Sequence, residues 1–78
     1  MKILIVEDEV RLADSMKAML ERKGFEVEAV HDGETGAEFA ELGIYDLLIL
    51  DVMMPKLDGY EVARRVRSRR CSTPILML

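Results

Sequence analysis

Two apolar runs in this chain each stop at acid: Ile3-Leu4-Ile5-Val6 meets Glu7-Asp8, and Leu47-Leu48-Ile49-Leu50 meets Asp51. Short runs without polar alternation suit strands buried on both faces, as in a parallel sheet covered by helices. If the two strands lie side by side and parallel, Glu7, Asp8 and Asp51 emerge at one carboxyl edge, where open α/β sheets place their ligands. That arrangement implies a cation site next to a candidate nucleophile.

The rest of the chain keeps the same rhythm. Apolar runs alternate with amphipathic stretches, which predicts β1 at 2–6, α1 at 10–23, β2 at 26–30, α2 at 33–42, β3 at 47–51, α3 at 59–68 and β4 at 75–78. In the first helix Leu12, Met16, Met19 and Leu20 define the expected buried face, Arg22 and Lys23 suit its negative end, and Gly24 is placed for a left-handed cap. Asp32 is expected to cap α2, whose face is Ala37, Phe39, Ala40 and Leu42 and whose stop is Gly43. Asp58 and Glu61 have the spacing of a capping box ahead of the stripe Val62, Ala63 and Val66, and Pro74 separates α3 from Ile75-Leu76-Met77-Leu78.

Right-handed crossovers favour a flavodoxin-like strand order, 2-1-3-4 for four strands. This leaves β4 as a bare edge, and because α1 alone covers one face, the apolar surface under β3 and β4 on that side is expected to be exposed. The expectation for the 78-residue chain is self-association through that edge or face, with Met77 helping a loosely packed interface adapt.

Composition narrows the function classes. Half of the residues are apolar, enough for one small domain, while a net charge of −4 argues against nucleic acid or an anionic membrane as a direct partner of the chain as a whole. The single cysteine, Cys71, has no intrachain partner and no Cys/His cluster has zinc spacing, which fits a reducing, cytoplasmic setting. The apolar start is too short for a signal peptide and no run is long enough to span a membrane.

At the strand ends, like charges about 4 Å apart cost about 4 kcal/mol per pair at an effective dielectric of about 20. A divalent cation relieves that repulsion at neutral pH, and an all-oxygen set with few carboxylates suits Mg2+. Asp51, a single acid ahead of the turn implied by Pro55 and Gly59, is the candidate nucleophile toward a phosphoryl group; Glu7 and Asp8 are a pair suited to holding the ion.

Taken together, Val6-Glu7-Asp8-Glu9, Leu47-Leu48-Ile49-Leu50-Asp51-Val52-Met53-Met54-Pro55 and Leu57-Asp58-Gly59 resemble the receiver domain of bacterial response regulators, over the whole of residues 1–78. The resemblance implies a partial flavodoxin-like (βα)3β sheet that ends before the family's fourth helix, fifth strand and fifth helix. It implies that Asp51 is the phosphoacceptor of two-component signal transduction, served by a sensor histidine kinase, and that Glu7, Asp8, Asp51 and the backbone carbonyl of Met53 bind Mg2+. Such a domain is a phosphoacceptor and not an enzyme. The family's Ser or Thr after the fourth strand, Lys after the fifth and switch aromatic on the fifth all fall beyond Leu78. Phosphotransfer by the 78-residue chain is therefore expected to be impaired, since losing a preorganised charge commonly costs a few kcal/mol of transition-state stabilisation.

Two other readings compete. The chain is alternatively an engineered or truncated α/β fragment that mainly self-associates. A haloacid-dehalogenase-like hydrolase also uses an aspartate after an apolar strand, but it wants a second acid two residues on, where Met53 stands. The blander readings are kept for the remaining residues: Glu9 a first-turn helix acid, Asp58 a cap, His31 a loop residue, Cys71 neutral, and Arg64, Arg65, Arg67, Arg69 and Arg70 a solvated, dipole-compatible helix end.

Overall fold

A computed structural model describes all residues, 1–78. The elements are β1 (Lys2–Val6), α1 (Val10–Arg22), β2 (Glu26–Val30), α2 (Gly33–Ala40), β3 (Leu47–Leu50), α3 (Gly59–Ser68) and β4 (Ile75–Met77). All strands pair in parallel in the order β2-β1-β3-β4, the flavodoxin-like order expected from the sequence.

Alternation along the central strands sorts their side chains between two cores. Ile3 and Ile5 of β1 join Val27, Ile49 and Ala13 under α1, whereas Leu4 and Val6 join Leu48, Leu50, Val62 and Val66 beneath α2 and α3. Ile3 to Val6 are all at most 1% exposed, which is why these strands carry no polar alternation.

Local signals set the helix ends. Asp58 accepts from the Glu61 amide at 2.9 Å while Glu61 accepts from the Asp58 amide at 3.2 Å, a complete capping box. Asp32 caps α2 by accepting from the Thr35 amide at 2.8 Å, and those bonds hold its carboxyl below the usual aspartate range. Gly24, at φ 92°, follows α1 in the left-handed conformation that a side chain disfavours.

Several expectations need correction. The buried face of α1 centres on Ala13 with Met16 and Leu20 beside it; Leu12 and Met19 are each 46% exposed. Ala13 is fully buried beneath the helix among Ile3, Ile5, Val27 and Ile49, so a small residue marks the contact that large ones were expected to make. The regular turns of α2 end at Ala40, two residues short of the expected boundary, and Leu42 is exposed in the turn that follows. β3 stops at Leu50, so Asp51 lies just past the strand, and β4 stops at Met77. Glu9 is the N-cap of α1, accepting from the Arg11 amide at 3.2 Å, and not a residue of its first turn. On the α1 side of the sheet Ile49 is buried; the apolar exposure is confined to β4 and its end, at Leu76 and Leu78. Met77 packs partly buried against the opposite core.

Arg65 is also more than a solvated charge. Its guanidinium bridges Glu34 at 3.0 Å and Glu41 at 3.3 Å, tying α3 to both ends of α2, and these acids raise its pKa. No helix is long and apolar enough to cross a membrane.

Candidate functional site

The pairing register builds the acidic site. Val6 lies opposite both Val30 and Leu50, so the next residues, Glu7 and Asp51, leave adjacent strands at the same level. Backbone bonds continue the ladder one step beyond the strands: the Glu7 amide donates to Val30 O at 3.0 Å and the Asp51 amide to Val6 O at 3.0 Å. A one-residue slip of β3 would turn Asp51 to the other face, but it would also bring Leu48 and Leu50 out of their core.

Carboxylate oxygens of Glu7, Asp8 and Asp51 thereby come within 4.8 Å of one another. Burial grades across the three. Glu7 is only 3% exposed, Asp51 half-buried and Asp8 exposed, so the site is closed beneath and open above. Burial raises the Glu7 pKa to about 7; hydrogen bonds and charge from Asp51, with a hydrogen bond from Asp8, add to that rise, and the Glu9 amide opposes it. That amide donates to Glu7 Oε2 at 3.1 Å and pins the side chain.

The loop after β3 shapes the other wall. Asp51 Oδ1 accepts from the Met53 amide at 3.2 Å, an Asx-type bond that orients the carboxylate. The Gly59 amide donates to Val52 O at 3.0 Å, and Met54 is buried in the core below. Met53 itself is 82% exposed, so its side chain contributes nothing to the wall. Asp58 stays occupied in its capping box.

One neighbour went unnoticed in the sequence as a part of the site. His31 Nδ1 lies 3.1 Å from the Glu7 carbonyl oxygen, bracing β1 where it turns outward. Its position directly after β2, whose register with β1 was foreseeable, was the available signal.

The fit of these residues to a hard cation follows from the donor set. Three carboxylate oxygens converge, and the most buried carboxyl, Glu7, is raised to about 7 chiefly by burial and then by its acidic neighbours, a repulsion that a hard cation relieves. The sequence pattern described as the response regulator receiver domain matches residues 3–78. The chain belongs to the receiver family. This receiver is 44% identical over 78 residues to the transcriptional regulatory protein DltR of Streptococcus agalactiae, covering 100% of this chain and 35% of that protein. It is 46% identical over 77 residues to the alkaline phosphatase synthesis transcriptional regulatory protein PhoP of Bacillus subtilis, covering 99% of the chain and 32% of the relative. The receiver thus spans about a third of the length of these relatives.

In three dimensions the receiver resembles that of the sensor histidine kinase PA1611 from Pseudomonas aeruginosa, with a TM-score of 0.91 and 35% identity over 97% of this chain and 64% of the other. The PA1611 structure has a magnesium ion coordinated in its active site cleft.

Proposed function

We propose that the chain is a phosphoacceptor of two-component signalling, in which Glu7, Asp8 and Asp51, with the Met53 carbonyl, hold Mg2+ and Asp51 accepts the phosphoryl group. The observation that carries this reading is the convergence of the three carboxylates within 4.8 Å at the carboxyl edge of β1 and β3. The magnesium ion seen in the PA1611 receiver supports the choice of metal. When bound, Mg2+ supplies positive charge that offsets the developing charge on the phosphoryl oxygens.

The chain's own residues do the rest. Half-buried and oriented by the Met53 amide, Asp51 presents a carboxylate oxygen to phosphorus. A new O–P bond forms as the bond from phosphorus to the donor breaks, and the leaving group departs with the electron pair. In the proposed pathway the donor is a phosphohistidine of a sensor kinase, whose imidazole leaves. Glu7 and Asp8 stay unmodified, Glu7 because it is enclosed and Asp8 because its role is to hold the ion. The proposed setting is the cytoplasm, without direct contact to nucleic acid or membrane by these residues.

Calorimetric Mg2+ titration tests the site, and Asp51→Asn is expected to weaken binding about tenfold or more, in line with the loss of a ligand. Absence of binding to the unsubstituted chain would remove the metal reading. Acetyl phosphate with Mg2+, followed by intact-mass analysis, is expected to give substoichiometric labelling of the 78-residue chain, confined to Asp51. Stoichiometric labelling would overturn the impairment, and labelling that persists in Asp51→Asn would overturn the acceptor.

A second reading, self-association of the 78-residue chain, is favoured by one observation: edge strand β4 bears no charge, and Leu76 and Leu78 are 50% and 53% exposed. It is compatible with the first.

A further inference from the structure

We propose that Gly33, the first residue of α2, is a positioning residue for the metal-holding loop, an inference that rests on the site reading above. The loop from Val52 to Leu57 joins Asp51 to the cap of α3 and is held at three points. At its start, Gly59 lies so close that a Cβ there would stand 2.4 Å from the Asp51 carbonyl oxygen and 2.9 Å from Val52 Cα. In its middle, Met54 is buried in the core. At its end, a Cβ on Gly33 would stand 2.3 Å from the Leu57 carbonyl oxygen and 3.0 Å from both Leu57 Cβ and Val62 Cγ2.

Gly33 needs no positive φ, unlike Gly24 and Gly43, and a helix prefers almost any other residue to glycine. Its lack of a side chain is explained by the approach of the loop. Because the nearest atom is a backbone oxygen, no rotamer change would make room for a Cβ. Displacement of Leu57 would pass to Lys56, already left-handed at φ 69°, and on toward Met53, whose amide orients Asp51. Little slack separates these points, so α2 sets the geometry of a site to which it contributes no ligand.

The test is Mg2+ affinity of the folded chain, measured by calorimetry at a temperature where circular dichroism shows each variant folded. Gly33→Ala is expected to raise the Mg2+ dissociation constant about tenfold, the range for residues that orient ligands. Gly24→Ala, strained at φ 92° with no atom near its added Cβ, is expected to lower thermal stability and leave Mg2+ affinity unchanged. Equal affinity of Gly33→Ala and the unsubstituted chain would overturn the proposal, as would equal weakening in Gly24→Ala, which would mark a general effect of destabilisation. Should Gly33→Ala not fold, Leu57→Gly removes the loop's Cβ from the same contact without a clash; weaker binding there supports the proposal and unchanged binding overturns it. Failure of the unsubstituted chain to bind Mg2+ is a different result, since it removes the site itself.

Discussion

Glu7 concentrates the chemistry of the site at the scale of one residue. Its carboxyl is nearly enclosed and its pKa stands at about 7 against an ordinary 4.5, chiefly because burial disfavours the charged form. Between those values the folded chain keeps a proton that the unfolded chain has released, so the contribution of Glu7 to metal-free stability falls as pH rises from 4.5 to about 7 and is level above. Glu7→Gln removes that dependence. In EDTA the variant is expected to exceed the parent by about 3 kcal/mol at pH of about 8, with the gap narrowing to about 1 kcal/mol near pH of about 5. Urea unfolding at constant ionic strength measures this, and a gap that does not depend on pH would contradict the burial of an ionisable Glu7. Saturating Mg2+ is expected to reverse the order, because a ligand bound only by the folded state stabilises it and Gln is the poorer donor.

Among the elements, α3 is the best specified by its own sequence. Its capping box satisfies two amides that the helix would otherwise leave open, while Val62 and Val66 bury completely. Asp58→Ala is expected to cost about 1 kcal/mol in thermal or urea unfolding, and a negligible change would mean that the box contributes nothing in water. Arg65 adds a link between α2 and α3 that propensity could not foretell, because Glu34 and Glu41 lie 31 and 24 residues away and only packing brings them near. The α1 face was misjudged for a related reason. Periodicity counts large apolar residues, but the sheet accepted Ala13 at the centre of the contact and left Leu12 and Met19 half in solvent.

For the molecule as a whole the two sheet edges differ. β2 carries Glu26 and Glu28, charges that discourage further pairing, and Glu28 accepts a hydrogen bond from Tyr45, whose pKa is raised by burial and by that acid. β4 is Ile75-Leu76-Met77, with no such guard. Leu76→Lys is expected to shift light-scattering mass toward monomer for the 78-residue chain, and it probes the edge more cleanly than Met77, which packs against the core. A chain that is monomeric before substitution would exclude association through β4. Glu7, Asp8 and Asp51 converge at the carboxyl edge of the sheet, whereas Arg67, Arg69 and Arg70 follow α3 toward the opposite edge.

The sequence by itself determined the βα alternation and the caps of α2 and α3, because runs such as Ile3 to Val6 and pairs such as Asp58 with Glu61 act through neighbours a few residues away, and the right-handed crossover rule then gave the strand order. It also named the acids at the strand ends. Only the tertiary structure decided that their oxygens approach within 4.8 Å, that Glu7 is enclosed while Asp8 is not, and that Gly33 meets the Leu57 carbonyl. Those facts depend on register, depth and close approach between segments distant in the chain, and such distances arise from packing many residues at once.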